Sequence, residues 1–143
     1  MSPLRDLIFP PAPRDFAPRR AVKIVLRAVH VLCAGILTGA FVFEVAAAAR
    51  EPWLAATVAS GAALLLLDLH ESGVFLLQVR GVIVLLKIGA LCALLALPAL
   101  EAAAAGIMVT IVLLSVVFSH APSNVRYRVL LFADRVSGAR TKG

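Results

Sequence analysis

Four long apolar stretches, separated by short polar connections, make up most of this 143-residue chain. A helix needs about 20 consecutive apolar residues to cross the hydrocarbon of a bilayer. Hydrophobic residues are 62% of the chain and charged residues 15%, whereas soluble domains have about half and a quarter. We therefore expect an all-α integral membrane protein with four spans and no separate soluble domain.

The apolar stretches also predict where the spans lie. They cover residues 21–44, residues 54–67 with a continuation through 68–72 towards 78, residues 82–97 and residues 102–119. Short connections make sequential spans antiparallel neighbours, so we expect a four-helix up-down-up-down bundle over residues 21–122. The proline-rich segment 1–20 is predicted to be extended, and the basic segment 123–143 to form an amphipathic helix on the membrane surface.

Arginine and lysine are divided unevenly between the two ends of this bundle. Arg50 is the only one expected at the end where the first span finishes, and the others flank the opposite end. Cytoplasmic connections are enriched in lysine and arginine, so we expect both termini on the cytoplasmic side of a bacterial inner membrane. Because these residues flank the spans, we expect the lipid bilayer as their partner and not nucleic acid.

His30, His70 and His120 are the only histidines, and each lies within or at the end of an apolar stretch. Ionisable and metal-binding side chains are costly in hydrocarbon, so their presence there indicates a functional site. At 1.5 Å per residue, His30, His70 and Lys87 are each predicted to lie roughly 10–15 Å from the same end of the bundle.

Haem b is the cofactor that this arrangement favours. A porphyrin needs a slot between helices, one or two axial ligands, and cations for its propionates. His30 and His70 are the predicted axial pair, and His120 is an equally valid second ligand. Asp68 and Glu71 are predicted to orient the imidazoles or to relay protons. The predicted propionate contacts are Arg27, Lys87, Arg126 and Arg128.

A haem protein of this kind would exchange electrons with a quinone or a redox protein, and two other classes stay open. Imidazole and sulfur also suit copper, although the chain has only two methionines and two cysteines without paired spacing. A structural subunit is the other class. It would pack in a homodimer or a larger membrane complex through the small residues Gly35 and Gly39.

Residues 26–39 resemble the first span of small four-helix membrane proteins of the HemJ and CopD grouping, where a histidine precedes a glycine-rich packing face. Residues 84–91, which contain Lys87, are similar to the third span of the HemJ pattern. The resemblance implies that His30 and Lys87 are the functional histidine and lysine, and that haem b is bound. HemJ-type proteins are protoporphyrinogen oxidases, so porphyrin oxidation is the second interpretation. The second histidine of that pattern's first span is missing here.

Overall fold

Four helices of this chain are long and apolar enough to cross a membrane, which makes it an integral membrane protein. The computed structural model describes residues 8–10 and 12–130. The all-α four-helix architecture is confirmed. Its helices are α1 (Arg19–Val42), α2 (Ala47–Glu71), α3 (Val79–Ala96), α4 (Ala104–His120) and the short α5 (Ser123–Arg126), with 3₁₀ turns at Gly73–Leu77 and Pro98–Ala103.

The helices form a bundle in which α1 packs most extensively against α2 and also against α4, while α4 packs against α3. The apolar core lies where α1 ends, in the half of the bundle away from most of the charged residues. Four buried residues form this core, with Phe41 and Leu54 packed against them: Leu37, Leu94, Ala104 and Met108. The buried carboxylate of Glu71 lies in the other half of the bundle.

The turn between α1 and α2 is a Schellman motif. The N–H of Val45 donates to the carbonyl of Ala40 at 2.9 Å, and the N–H of Glu44 donates to the carbonyl of Phe41 at 3.3 Å. Glu44 has a φ of 52°, the left-handed conformation that glycine adopts at this position in many helices. The reversal after α1 is thus fixed by the backbone, in close agreement with the predicted end of the first span.

Helix α2 differs from its prediction at both ends. It begins at Ala47 because a run of alanines favours helix. The Arg50 guanidinium near its start lies 4.4 Å from the Phe41 ring centre. It ends at Glu71, where Ser72 adopts an extended conformation and its side chain caps the following 3₁₀ turn. The predicted continuation of the helix beyond this point is wrong.

The chain after α4 returns to the connection between α2 and α3. The N–H of Val79 donates to the carbonyl of Arg128 at 3.0 Å, and the N–H of Leu130 donates to the carbonyl of Leu77 at 2.8 Å. Helix α5 has only four residues, so the amphipathic helix predicted for this segment does not continue through residues 127–130. Its remaining part, residues 131–143, lies outside the described residues.

Candidate functional site

Opposite charges pair between α1 and α2 at the end where α1 and α3 begin and α2 and α4 finish, which we call the basic end. Arg19 Nη1 lies 2.6 Å from Glu71 Oε2, and Lys23 Nζ pairs with Asp68. The Glu71 side chain is only 1% exposed. Arg19 precedes Lys23 on α1 and their partners Glu71 and Asp68 follow in the reverse order on α2, as in an antiparallel pair of helices. These ion pairs therefore set the register of the two helices.

The segment before α1 closes the C-terminus of α2. The backbone N–H of Arg14 donates to the carbonyl of Glu71 at 3.1 Å, and its guanidinium donates to the carbonyl of His70 at 3.4 Å. The Phe16 ring meets the His70 ring edge-on, with 6.1 Å between centroids. Carbonyls that a helix end leaves unpaired are thereby satisfied.

Deeper in the bundle, His30 of α1 faces Ser60 of α2. His30 Nδ1 lies 3.0 Å from Ser60 Oγ. The Ser60 hydroxyl donates its only hydrogen to the carbonyl of Ala56 at 2.7 Å, so it can only accept a hydrogen bond from the imidazole. When the Ser60 hydrogen points to that carbonyl, Nδ1 of His30 carries the hydrogen of the neutral ring and the lone pair lies on Nε2.

Two residues of α2, Gly61 and Thr57, affect the space around the His30 ring. A Cβ added to Gly61 would lie 3.0 Å from His30 Cε1, so a larger residue there would require the imidazole to shift by a few tenths of an ångström. The hydroxyl of Thr57, one helical turn before Ser60, is buried with no partner within the described chain. An unpaired buried hydroxyl costs about 1–3 kcal/mol, so a polar atom of a ligand or a water is expected there.

Lys87 of α3 extends towards α4. Its Nζ donates to Ser115 Oγ at 3.0 Å, while the Ser115 hydroxyl donates to the carbonyl of Ile111 at 2.6 Å. We call His30, Ser60, Lys87 and Ser115 the polar layer, in which each of the four spanning helices contributes one side chain.

The other two histidines lie outside the polar layer. His70 is ten residues beyond Ser60, about 15 Å along the helix axis. It lies at the very end of α2, which finishes one residue later at Glu71. Its predicted depth is wrong, since that prediction continued α2 past its true end. His120 is the exposed last residue of α4 and lies five residues beyond Ser115, about 7.5 Å along the axis. The structure thus does not bring the three histidines together.

The remaining predicted site residues have other neighbours. Asp68 and Glu71 are engaged by the cations of α1 and not by an imidazole. Arg27 is exposed on α1, one helical turn from His30 towards the basic end. Within residues 8–10 and 12–130, no group of three or more His, Cys, Asp or Glu side chains is placed to hold a metal ion.

Arginines and aromatic rings stack at the basic end. The Arg80 guanidinium lies 5.1 Å from the Phe75 ring centre and 4.8 Å from that of Tyr127. Arg126 lies 5.0 Å from the Tyr127 ring centre and donates to the carbonyl of Ser119 at 3.0 Å. Cations over ring faces are attracted by the ring quadrupole, so these contacts brace the chain after α4 against the start of α3.

A groove of about 680 Å³ runs between α3 and α4. Its rim residues Leu86 and Leu114 are exposed, so the groove opens on the outside of the bundle. Small side chains form much of its floor, and Lys87 supplies an amine within it. The lining residues that matter for its chemistry are Ile83, Lys87, Ala90, Gly106 and Thr110.

Sequence reasoning missed Ser60 and Thr57, because hydroxyl side chains barely alter the hydropathy of an apolar helix. The antiparallel pairing of Arg19 with Glu71 and of Lys23 with Asp68 is the signal that places Ser60 opposite His30.

No protein-family model, curated protein or solved structure matches this chain.

Proposed function

We propose that this protein binds haem b within the membrane and that His30 supplies an axial nitrogen. The observation that carries the proposal is the hydrogen bond between His30 Nδ1 and Ser60 Oγ, together with the donation from Ser60 to Ala56. An imidazole that ligates iron through Nε2 needs its Nδ1–H held by an acceptor, which fixes the tautomer and the ring orientation. Ser60 provides that acceptor.

The number of nearby ligands favours haem over a bare metal ion. A bound copper or zinc ion requires three or four protein ligands, and the described residues hold no group of three candidate side chains. A porphyrin brings its own equatorial nitrogens and needs only one or two side chains from the protein. His30 alone meets that requirement, and the unpartnered hydroxyl of Thr57 suits a polar atom beside it.

A single histidine changes the kind of haem site that we expect. His70 lies about 15 Å from the level of Ser60, too far for the two imidazoles to bind one iron. We therefore favour a haem with one protein ligand over the bis-histidine site that the sequence predicts. Such a site suits ligand binding or oxidation chemistry as well as electron transfer. Arg27, exposed one helical turn from His30, is a candidate for a propionate contact.

The test is an absorption spectrum of detergent-purified protein, before and after reduction with dithionite. We expect a Soret band that shifts on reduction, and a further shift with carbon monoxide, which binds a haem with an open axial position. His30→Ala should lose the bound haem, whereas His70→Ala should keep it. Cys33→Ala is the matched control, because Cys33 is a buried neighbour on α1. A featureless wild-type spectrum, or full haem content in His30→Ala, overturns the proposal.

Oxidation of a porphyrinogen is a second candidate, favoured by the position of Lys87 in the polar layer with His30. Together these residues are the pair that the resemblance to HemJ-type proteins singles out. The assay is the appearance of porphyrin fluorescence when protoporphyrinogen is added to membranes that contain the protein. Equal activity in membranes with wild-type protein and with Lys87→Met would remove this candidate.

We also propose that the basic end faces the cytoplasm of a bacterium. The support is the charge distribution, with Arg80 and Arg126 at this end and Arg50 at the other. Reporter domains fused to residue 46 and to residue 98 should be active only in forms that work outside the cytoplasm. Cytoplasmic activity of both fusions would reverse the orientation.

A further inference from the structure

The groove between α3 and α4 contains one amine whose hydrogens are not all used. Lys87 donates one hydrogen to Ser115 and makes no other hydrogen bond or ion pair with the part of the chain that the structure describes. An ammonium keeps two further N–H groups, and a neutral amine keeps one. In either protonation state, Lys87 can donate to a molecule that lies in the groove.

The polar chemistry of the groove is completed by Thr110. Its hydroxyl donates to the carbonyl of Gly106 at 2.8 Å, so towards the groove it can only accept. The groove therefore offers a donor, Lys87, and an acceptor, Thr110, on an otherwise aliphatic surface. A volume of about 680 Å³ is in the range of small-molecule sites.

The depth of Lys87 restricts the class of ligand. Lys87 lies eight residues into α3, about 12 Å from the helix start, which is below the level of phospholipid headgroups. A ligand at this depth must be soluble in hydrocarbon, and its acceptor atom must be cheap to desolvate, which favours a carbonyl oxygen over a carboxylate.

We propose that this groove binds a lipid-soluble quinone. Lys87 donates to a ring carbonyl, and Thr110 accepts from the hydroxyl of the quinol form. Ala90 and Gly106 leave space for a flat ring, since a Cβ added to Gly106 meets nothing within 4 Å. His30 and Ser60 do not line the groove, so quinone binding and haem binding are separate proposals and either can fail alone.

The experiment uses the full chain in lipid nanodiscs and a photoreactive azido derivative of decylubiquinone, with unlabelled decylubiquinone as competitor. Mass spectrometry locates the attachment, which we expect on α3 or α4. Lys87→Met should weaken competition about tenfold, as expected for loss of one hydrogen bond from a charged or polar donor. Lys87→Arg should restore it in part.

Matched variants separate groove filling from general damage. Gly106→Leu places a side chain in the groove and should abolish saturable labelling. Gly89→Leu is the control, because Gly89 is an exposed glycine of α3 that does not line the groove and also has open space around it. His30→Ala should label like the wild type, which keeps this result distinct from the haem test.

Four outcomes overturn the quinone proposal. They are the absence of saturable labelling, attachment confined to α1 or α2, equal labelling of wild type and Gly106→Leu, and displacement of the probe by palmitate but not by decylubiquinone. The last outcome would assign the groove to a fatty acid carboxylate.

Discussion

Replacing the buried carboxylate of Glu71 tests the account of how α1 and α2 are joined. Glu71 sits at the C-terminal end of α2, where the helix dipole disfavours a negative charge. It is held there by Arg19 at 2.6 Å and by Lys23 at 3.7 Å. The variant Glu71→Gln keeps the size of the side chain and removes the charge, so both cations lose a partner.

The expected loss follows from burial. Removing one member of a buried ion pair costs about 3–5 kcal/mol, because the other charge is left uncompensated. The side chains of Arg19 and Lys23 are each 19% exposed, and each keeps a second carboxylate partner, Asp15 and Asp68 respectively, so we expect a loss no larger than the lower limit, about 3 kcal/mol. This corresponds to roughly a hundredfold change in the unfolding equilibrium.

Unfolding can be followed through Trp53, the only tryptophan of the chain, which lies in α2. We would titrate detergent-purified protein with sodium dodecyl sulfate and record tryptophan fluorescence. Glu51→Gln is the control, because Glu51 is an exposed carboxylate of the same helix and its loss should change stability by less than about 0.5 kcal/mol. The double variant Arg19→Gln/Glu71→Gln should lose less than the sum of the single variants.

A stability of Glu71→Gln equal to that of Glu51→Gln would refute this reasoning. So would strict additivity in the double variant, since it would mean that Arg19 and Glu71 do not interact. In either case the register of α1 and α2 would have to be set by the apolar contacts near Leu37 instead.

Three further predictions concern the turn after α1 and the surroundings of His30. Glu44→Gly removes the backbone strain of a non-glycine residue in the left-handed conformation. It should stabilise the protein by about 1 kcal/mol, seen as a higher thermal midpoint, and a lower midpoint would contradict the assigned turn. Gly35→Ala and Gly61→Ala should each gain roughly 0.5–1 kcal/mol of helix propensity. The new methyl group of Gly61→Ala contacts the His30 ring, whereas that of Gly35→Ala contacts nothing, so we expect a higher thermal midpoint for Gly35→Ala alone. Ser60→Ala should lower haem affinity about 10–100-fold in a haem titration, and unchanged affinity would remove the assigned role of its hydroxyl.

Most of the fold follows from the hydropathy of the chain. Three of the four spans begin and end within a few residues of their predicted limits, because an apolar stretch in lipid has only the helix as a stable form. The start of α2 is not evident from the sequence, since Pro52 and the two charged residues before it are typical of a connection between helices. The alanines around them carry the helical preference, and the structure places the Arg50 guanidinium against the Phe41 ring.

Only some residues of the polar layer could be predicted from the sequence. His30 and Lys87 stand out because polar side chains in apolar helices are rare, and the structure places both in the polar layer. The partner of His30, Ser60, does not stand out, since serine is common in spanning helices. The depth of His70 depended on where α2 ends, which is set by the extended conformation of Ser72 and not by hydropathy.

The hydrogen bonds that join Val79 to Arg128 and Leu130 to Leu77 have a consequence for the order of assembly. The chain is synthesised from its N-terminus, so the segment between α2 and α3 is made well before residues 128–130, with which it pairs. Until all four helices are in place, the amide of Val79 and the carbonyl of Leu77 have no partner from residues 128–130. The basic end therefore closes last, and its closure marks completion of the bundle.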